Sequence, residues 1–152
     1  MAGGYPRSTP VPRRHGFCWQ RDVAKSRDVR VRSFDFACDV VALHRSIQLG
    51  DWTTRRLSNQ LLAAGTSIGA NLAEAASGQT RADFIAKNCI ALKEARETLY
   101  WLRLLAKTTP TLGEHITPLT QECHEMIAMV ATIINSARSN APSARTRESG
   151  RR

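Results

Sequence analysis

Residues 70–106, ANLAEAASGQTRADFIAKNCIALKEARETLYWLRLLA, contain the end of one helix, a turn and the start of another. Ser77-Gly78-Gln79-Thr80 breaks the pattern. Gly78 is suited to a positive φ after a helix end, because it has no Cβ to clash. Thr80 has the place of an N-cap, with Asp83 three residues on to reach back or to complement the helix dipole. From there Phe84, Ile85, Asn88, Cys89, Leu92, Ala95, Leu99, Leu102 and Ala106 recur at spacings of three and four, the period of a helix with one buried stripe. No Pro or Gly interrupts residues 80–109. About 26 helical residues span roughly 39 Å, a length suited to a bundle.

Working outward, Leu57, Leu61, Ala64, Ile68, Leu72 and Ala75 form the stripe of the preceding helix, expected over 54–76 and starting near Thr53 or Thr54. Gly65 and Gly69 lie four apart in it. Each lowers helix propensity by about 1 kcal/mol against Ala, so both together predict a neighbouring helix that approaches closely. Upstream, Phe36, Val40, Leu43 and Ile47 mark a helix over 34–49, with Ser33 as N-cap and Leu49-Gly50-Asp51 as its end. Downstream, Thr108-Thr109-Pro110 closes the long helix, which is expected over 80–107. Thr111 and Glu114 have the spacing of a second capping box. The fourth helix is expected over 113–137, with a short first turn before Pro118 and the main helix from about Thr117. Leu119, Cys123, Met126, Ile127, Val130, Ile133 and Ile134 form its stripe.

The fold class is therefore all-α: an antiparallel up-down four-helix bundle over 33–137, with disordered basic tails over 1–32 and 138–152. A chain of 152 residues with 42% apolar content holds one such core. The formal net charge of +9 is uneven. Residues 1–32 hold eight basic and two acidic residues, and 138–152 hold five Arg and one Glu. The bundle between them holds nine basic and ten acidic residues, so it is nearly neutral. The first tail has Pro6, Pro10, Pro12 and the Arg13-Arg14 pair, with one apolar knot at Phe17-Cys18-Trp19.

The strings SIGANLAEA, TRADFIAKNCIALKEARETLYWLRLL and RRLSNQLLAAGT resemble the bacterial four-helix-bundle proteins named after open reading frames in 23S rRNA intervening sequences. The likeness runs from about Phe34 to Ala137 and is densest from Leu57 to Leu105. Asp83, Phe84 and Lys87, then Ala91 to Glu97, then Tyr100, Trp101 and Leu102 carry its motif. Many members have Pro after the SI pair, where this chain has Gly69. The resemblance implies an up-down bundle that assembles as a homopentamer. More distantly, the family is similar to the accessory protein of diversity-generating retroelements, which implies RNA or DNA and a reverse transcriptase or other protein as partners.

The residues themselves show no catalytic constellation, so no enzyme activity and no cofactor are expected. There is no P-loop, no Gly-rich dinucleotide turn and no Glu-x-x-His pair. Cys123 and His124 are adjacent and diverge by about 100° on a helix. Four cysteines without C-x-x-C spacing, with Cys38, Cys89 and Cys123 on or beside apolar helix faces, indicate buried free thiols of a reducing cytoplasm. No apolar run reaches about 18 residues and the N-terminus has no apolar signal core, so no membrane association is expected.

Two sets of polar residues are candidates. Nucleic-acid contacts are expected from Arg13, Arg14, Arg55, Arg56, Arg81, Lys87, Arg145 and Arg147. An oligomer interface or intrabundle network is expected from Asn71, Glu74, Lys93, Glu94, Arg96 and Glu97, with Lys93 and Glu97 spaced for an intrahelical ion pair. Tyr100 and Trp101 are expected as core-edge or interface anchors.

Overall fold

The computed structural model describes residues 28–47 and 51–139. They form four helices: α1 (Val29–Ile47), α2 (Trp52–Ala76), α3 (Arg81–Thr108) and α4 (Gly113–Ser139). A short 3-10 turn, Pro110–Leu112, leads into α4. Sequential helices run antiparallel, each packs on the next, and α4 returns to α1. This is the expected bundle. The tail residues 1–27 and 140–152, and Leu49-Gly50, lie outside the described residues.

The core is built from lines of buried residues spaced three or four apart: Phe36, Val40, Leu43 and Ile47 on α1, and Leu61, Ala64, Ile68, Leu72 and Ala75 on α2. Ile116, Leu119, Cys123, Met126, Val130 and Ile134 continue it on α4. That spacing keeps each line facing its neighbours along the whole bundle.

On α3 the buried line differs from the expected stripe. Asn88, Ala91, Ala95, Thr98, Leu102 and Leu105 are buried, whereas Leu92 and Leu99 are half-buried and Ala106 is exposed. The helix is rotated so that Ala91, Ala95 and Thr98 face inward with Leu102 and Leu105, while Leu92 and Leu99 fill the seams. Two polar residues go inside because they bond within the helix. The Asn88 amide donates to the Phe84 carbonyl at 2.7 Å, and the Thr98 hydroxyl to the Glu94 carbonyl at 2.8 Å.

The helix ends follow their caps. Asp83 N–H donates to the Thr80 hydroxyl at 3.1 Å, and that hydroxyl donates to Asp83 Oδ2 at 2.7 Å. The cap at Thr80 is as expected. Gly78 is not: no described glycine has a positive φ. A Cβ on Gly78 would meet the Ala75 carbonyl at 3.2 Å and Asp83 Cβ at 3.4 Å, so close approach explains the residue there. The helix ends instead by tightening, with Ser77 and Gly78 N–H donating to the Glu74 and Ala75 carbonyls. Asp51 caps the start of α2, accepting from Thr53 N–H at 2.9 Å and Thr54 N–H at 3.1 Å.

Three further expectations are corrected. Helix α1 starts at Val29, not at 34, and Ser33 is buried within it; Asp28 accepts from Arg30 N–H at 2.9 Å in the capping role. Thr111 lies inside the 3-10 turn and makes no capping box with Glu114. Helix α4 runs unbroken through Pro118. Pro118 falls in its second turn, where only one backbone bond is lost.

Gly65 and Gly69 do face a close neighbour. A Cβ on Gly65 would lie 3.1 Å from both methyl carbons of Val40 on α1, and one on Gly69 would lie 3.4 Å from Ser33 Oγ.

Candidate functional site

The polar side chains divide into those consumed by the bundle and those left over. Arg32 of α1 donates from Nε to Glu122 at 2.7 Å and from its terminal nitrogen to Glu125, both on α4. Both carboxylates hold the guanidinium pKa above its ordinary value. Lys87 of α3 pairs with Glu74 of α2. The Arg81 guanidinium donates to the Ala137 carbonyl near the C-terminus of α4, where a cation complements the helix dipole. The Asn71 amide donates to the Ser67 carbonyl of its own helix at 2.8 Å. The Glu97 carboxylate accepts from the Trp101 indole N–H at 3.2 Å, so it does not pair with Lys93. A half-buried indole needs that acceptor more than an exposed ammonium does.

Among the described residues, Arg55, Arg56, Lys93, Arg96, Arg103 and Lys107 form no ion pair. Arg55 and Arg56 are exposed in the first turn of α2, where cations oppose the helix dipole. Glu94 is half-buried on α3. Arg13, Arg14, Arg145 and Arg147 lie outside the described residues.

Three of the unpaired cations converge. Arg96, Tyr100, Arg103 and Lys107 succeed one another at spacings of four, three and four, which places them on one face of α3. They line an open groove of about 1270 Å³ between α3 and α4, with Thr117, Gln121 and His124 on the α4 wall. Tyr100 is 58% exposed. Its ring meets Trp101 edge to face, with centroids 4.9 Å apart and planes at 75°. Glu125 also lines the groove, and Arg32 engages its carboxylate. The expected site residues included only Arg96 from this group. The signal for the rest was present in the three-and-four spacing of cations around Tyr100.

This groove suits an anion with an unsaturated or aromatic part. Among the described residues no group of three or more His, Cys, Asp or Glu could hold a metal ion. The Cys123 thiol is buried, donates to the Ala95 carbonyl at 3.2 Å, and has its pKa pushed up to about 12 by burial and then by the Glu122 charge. No described helix is long and apolar enough to cross a membrane.

The comparisons with known proteins agree with the fold. A model of the 23S rRNA-intervening sequence protein family matches residues 25–132. Among solved structures, a crystal structure of a protein of unknown function from the S23 ribosomal protein family of Bacteroides thetaiotaomicron is 39% identical. It covers 70% of this chain and 98% of its own, with a TM-score of 0.65. No curated protein matches the chain. The chain belongs to the 23S rRNA-intervening sequence protein family.

Proposed function

We propose that the protein is a non-enzymatic, homo-oligomeric nucleic-acid-binding bundle of the cytoplasm, acting as an accessory component of a ribonucleoprotein. The observation that supports this best is the row Arg96, Arg103 and Lys107, three cations without a carboxylate partner along one groove. Cations placed in a row without internal partners are available to phosphates. Arg13, Arg14, Arg145 and Arg147, outside the described residues, add four more cations to the chain. Self-association is supported by the 69% exposed Phe34 and the 48% exposed Val31 on one face of α1. A pentamer is the state the resemblance implies. RNA or DNA is the ligand in this reading, with a reverse transcriptase or another protein as further partner.

The test compares labelled RNA and DNA binding by the full chain and by a chain trimmed to residues 28–139. The full chain should bind, with the logarithm of affinity falling by about 0.7–0.9 per phosphate neutralised against the logarithm of salt. Trimming should remove much of that slope and leave the oligomeric state by light scattering unchanged. Failure of the full chain to retard either nucleic acid at low salt removes this reading.

A second reading is a scaffolding oligomer that binds no nucleic acid. It is favoured by the near-neutrality of the described residues, which hold twelve basic and eleven acidic side chains. Absence of binding with retained self-association would establish it.

A further inference from the structure

We infer that the groove between α3 and α4 takes a single strand of nucleic acid, with Tyr100 as the surface on which a base stacks and Arg96, Arg103 and Lys107 as phosphate contacts. The inference rests on the nucleic-acid reading above and narrows it to one site and one class of ligand. Arg96 to Lys107 spans about 16 Å along α3 at 1.5 Å per residue. A stacked strand advances about 3.4 Å per nucleotide, so the row matches roughly four or five nucleotides.

The form of the groove selects the strand. A duplex keeps its base faces inside the stack, where a side chain on a helix surface has nothing to stack upon. A single strand exposes those faces, and proteins that bind it combine a cationic track with aromatic platforms. Tyr100 stands in the middle of this track, more than half exposed. The groove lies open along the surface between α3 and α4, so a strand can lie along it. None of the described residues forms an element that projects from this face into a major groove about 12 Å wide.

The platform is also held in place beforehand. The ring of Tyr100 rests against Trp101 at 4.9 Å, and the Trp101 indole is held by Glu97 at 3.2 Å. A ring already ordered loses less freedom on binding. Two carboxylates near the groove have other partners. Glu97 accepts from Trp101 and Glu125 is paired with Arg32, and neither forms an ion pair with Arg96, Arg103 or Lys107. On the opposite wall, Gln121 and His124 offer hydrogen-bonding groups that base edges and sugars use.

The experiment measures fluorescence anisotropy of labelled oligouridylate, oligodeoxythymidylate and a mixed-sequence duplex, each of about twelve nucleotides or base pairs, with the full chain. Tyr100→Ala should weaken single-strand binding by about 5-fold to 100-fold and leave duplex binding within about twofold. Tyr100→Phe should retain single-strand affinity, because the ring does the stacking. The double variant Arg103→Gln/Lys107→Gln should reduce the single-strand salt slope by about 1.4. Circular dichroism and the unfolding midpoint establish that each exposed-site variant is folded. The double variant carries the test if Tyr100→Ala is not. Unchanged single-strand affinity in Tyr100→Ala, or equal loss on single strand and duplex, overturns the inference while nucleic-acid binding through the terminal arginines stands. Loss of all binding by the unaltered chain would overturn both.

Discussion

Arg32 of α1 bridges Glu122 and Glu125 of α4, at 2.7 Å to the first, and so ties the first helix to the last. Glu122 and Glu125 are three residues apart and share a helix face, so one guanidinium fork meets both. The same nitrogen fork lies 3.5 Å from Met129 Sδ. The pair is largely withdrawn from water, which makes removal of one partner costly.

Arg32→Ala should therefore destabilise the protein by about 2–3 kcal/mol. Arg32→Lys should restore only part of that, because an ammonium cannot serve both carboxylates with the same geometry. Urea unfolding at fixed protomer concentration reads both effects as a shift in midpoint with unchanged slope. A midpoint for Arg32→Ala equal to that of the unaltered chain would show the bridge contributes nothing.

The two helix glycines should respond in opposite directions. Gly65→Ala places a methyl 3.1 Å from both Val40 methyls, and Val40 is fully buried and stiff about χ1. Overpacking should outweigh the gain in helix propensity, for a net loss of about 1 kcal/mol. Gly69→Ala meets only ordinary contact with Ser33, so it should gain up to about 1 kcal/mol. Adding Val40→Ala to Gly65→Ala should cost less than the sum of the two single changes. Strict additivity in that cycle would exclude the contact as the cause.

Thiol reactivity should rank the described cysteines by exposure and pKa. Against the expectation of buried thiols, Cys38 is exposed and Cys89 half-buried, with Arg138 at 3.5 Å from the Cys89 sulfur; among the described cysteines only Cys123 is buried. Cys123, held near 12 by burial, should resist iodoacetamide in the native protein and react only after denaturation. Peptide mass spectrometry assigns the alkylated positions. Native Cys123 alkylating as fast as Cys38 is the result that contradicts this.

Acid should weaken the starts of α1 and α2. Hydrogen bonds from Arg30 hold Asp28 down at about 2, and those from Thr54 lower Asp51. A depressed carboxylate stabilises the fold fully above its unfolded pKa, near 4, and loses that contribution as pH falls through the folded value. Helicity should decline from about pH 4 toward 2. Asp51→Asn keeps a capping oxygen but does not titrate, so it should flatten part of that decline. An identical acid profile for Asp51→Asn would remove Asp51 from the account.

Much of the fold was legible in the chain because its determinants are local. Thr80 and Asp83 cap α3 by atoms three residues apart, and the three-and-four spacing of Phe36, Val40 and Leu43 or of Leu61, Ala64 and Ile68 needs no partner to be recognised. Gly65 and Gly69 announced a close neighbour by their cost in a helix, although not which helix it was. The site was less legible. Arg96 was grouped with Glu97 and Lys93 by proximity in sequence, whereas the groove groups it with Arg103 and Lys107 by proximity on one helix face.

The sequence by itself determined the four helices, the Thr80 cap and the buried sides of α1, α2 and α4. Only the tertiary structure decided the rotation of α3, which buries Ala91, Thr98 and Leu105 and leaves Leu92 and Leu99 at the seams. Hydropathy ranks sides of a helix by their average polarity, and polar groups that bond to their own backbone escape that ranking. It also decided that α1 starts at Val29, since Arg32 joins the helix to meet two carboxylates about ninety residues away. Which charges are spent and which remain free depends on such distant partners, and that division is what leaves Arg96, Arg103 and Lys107 facing an open groove.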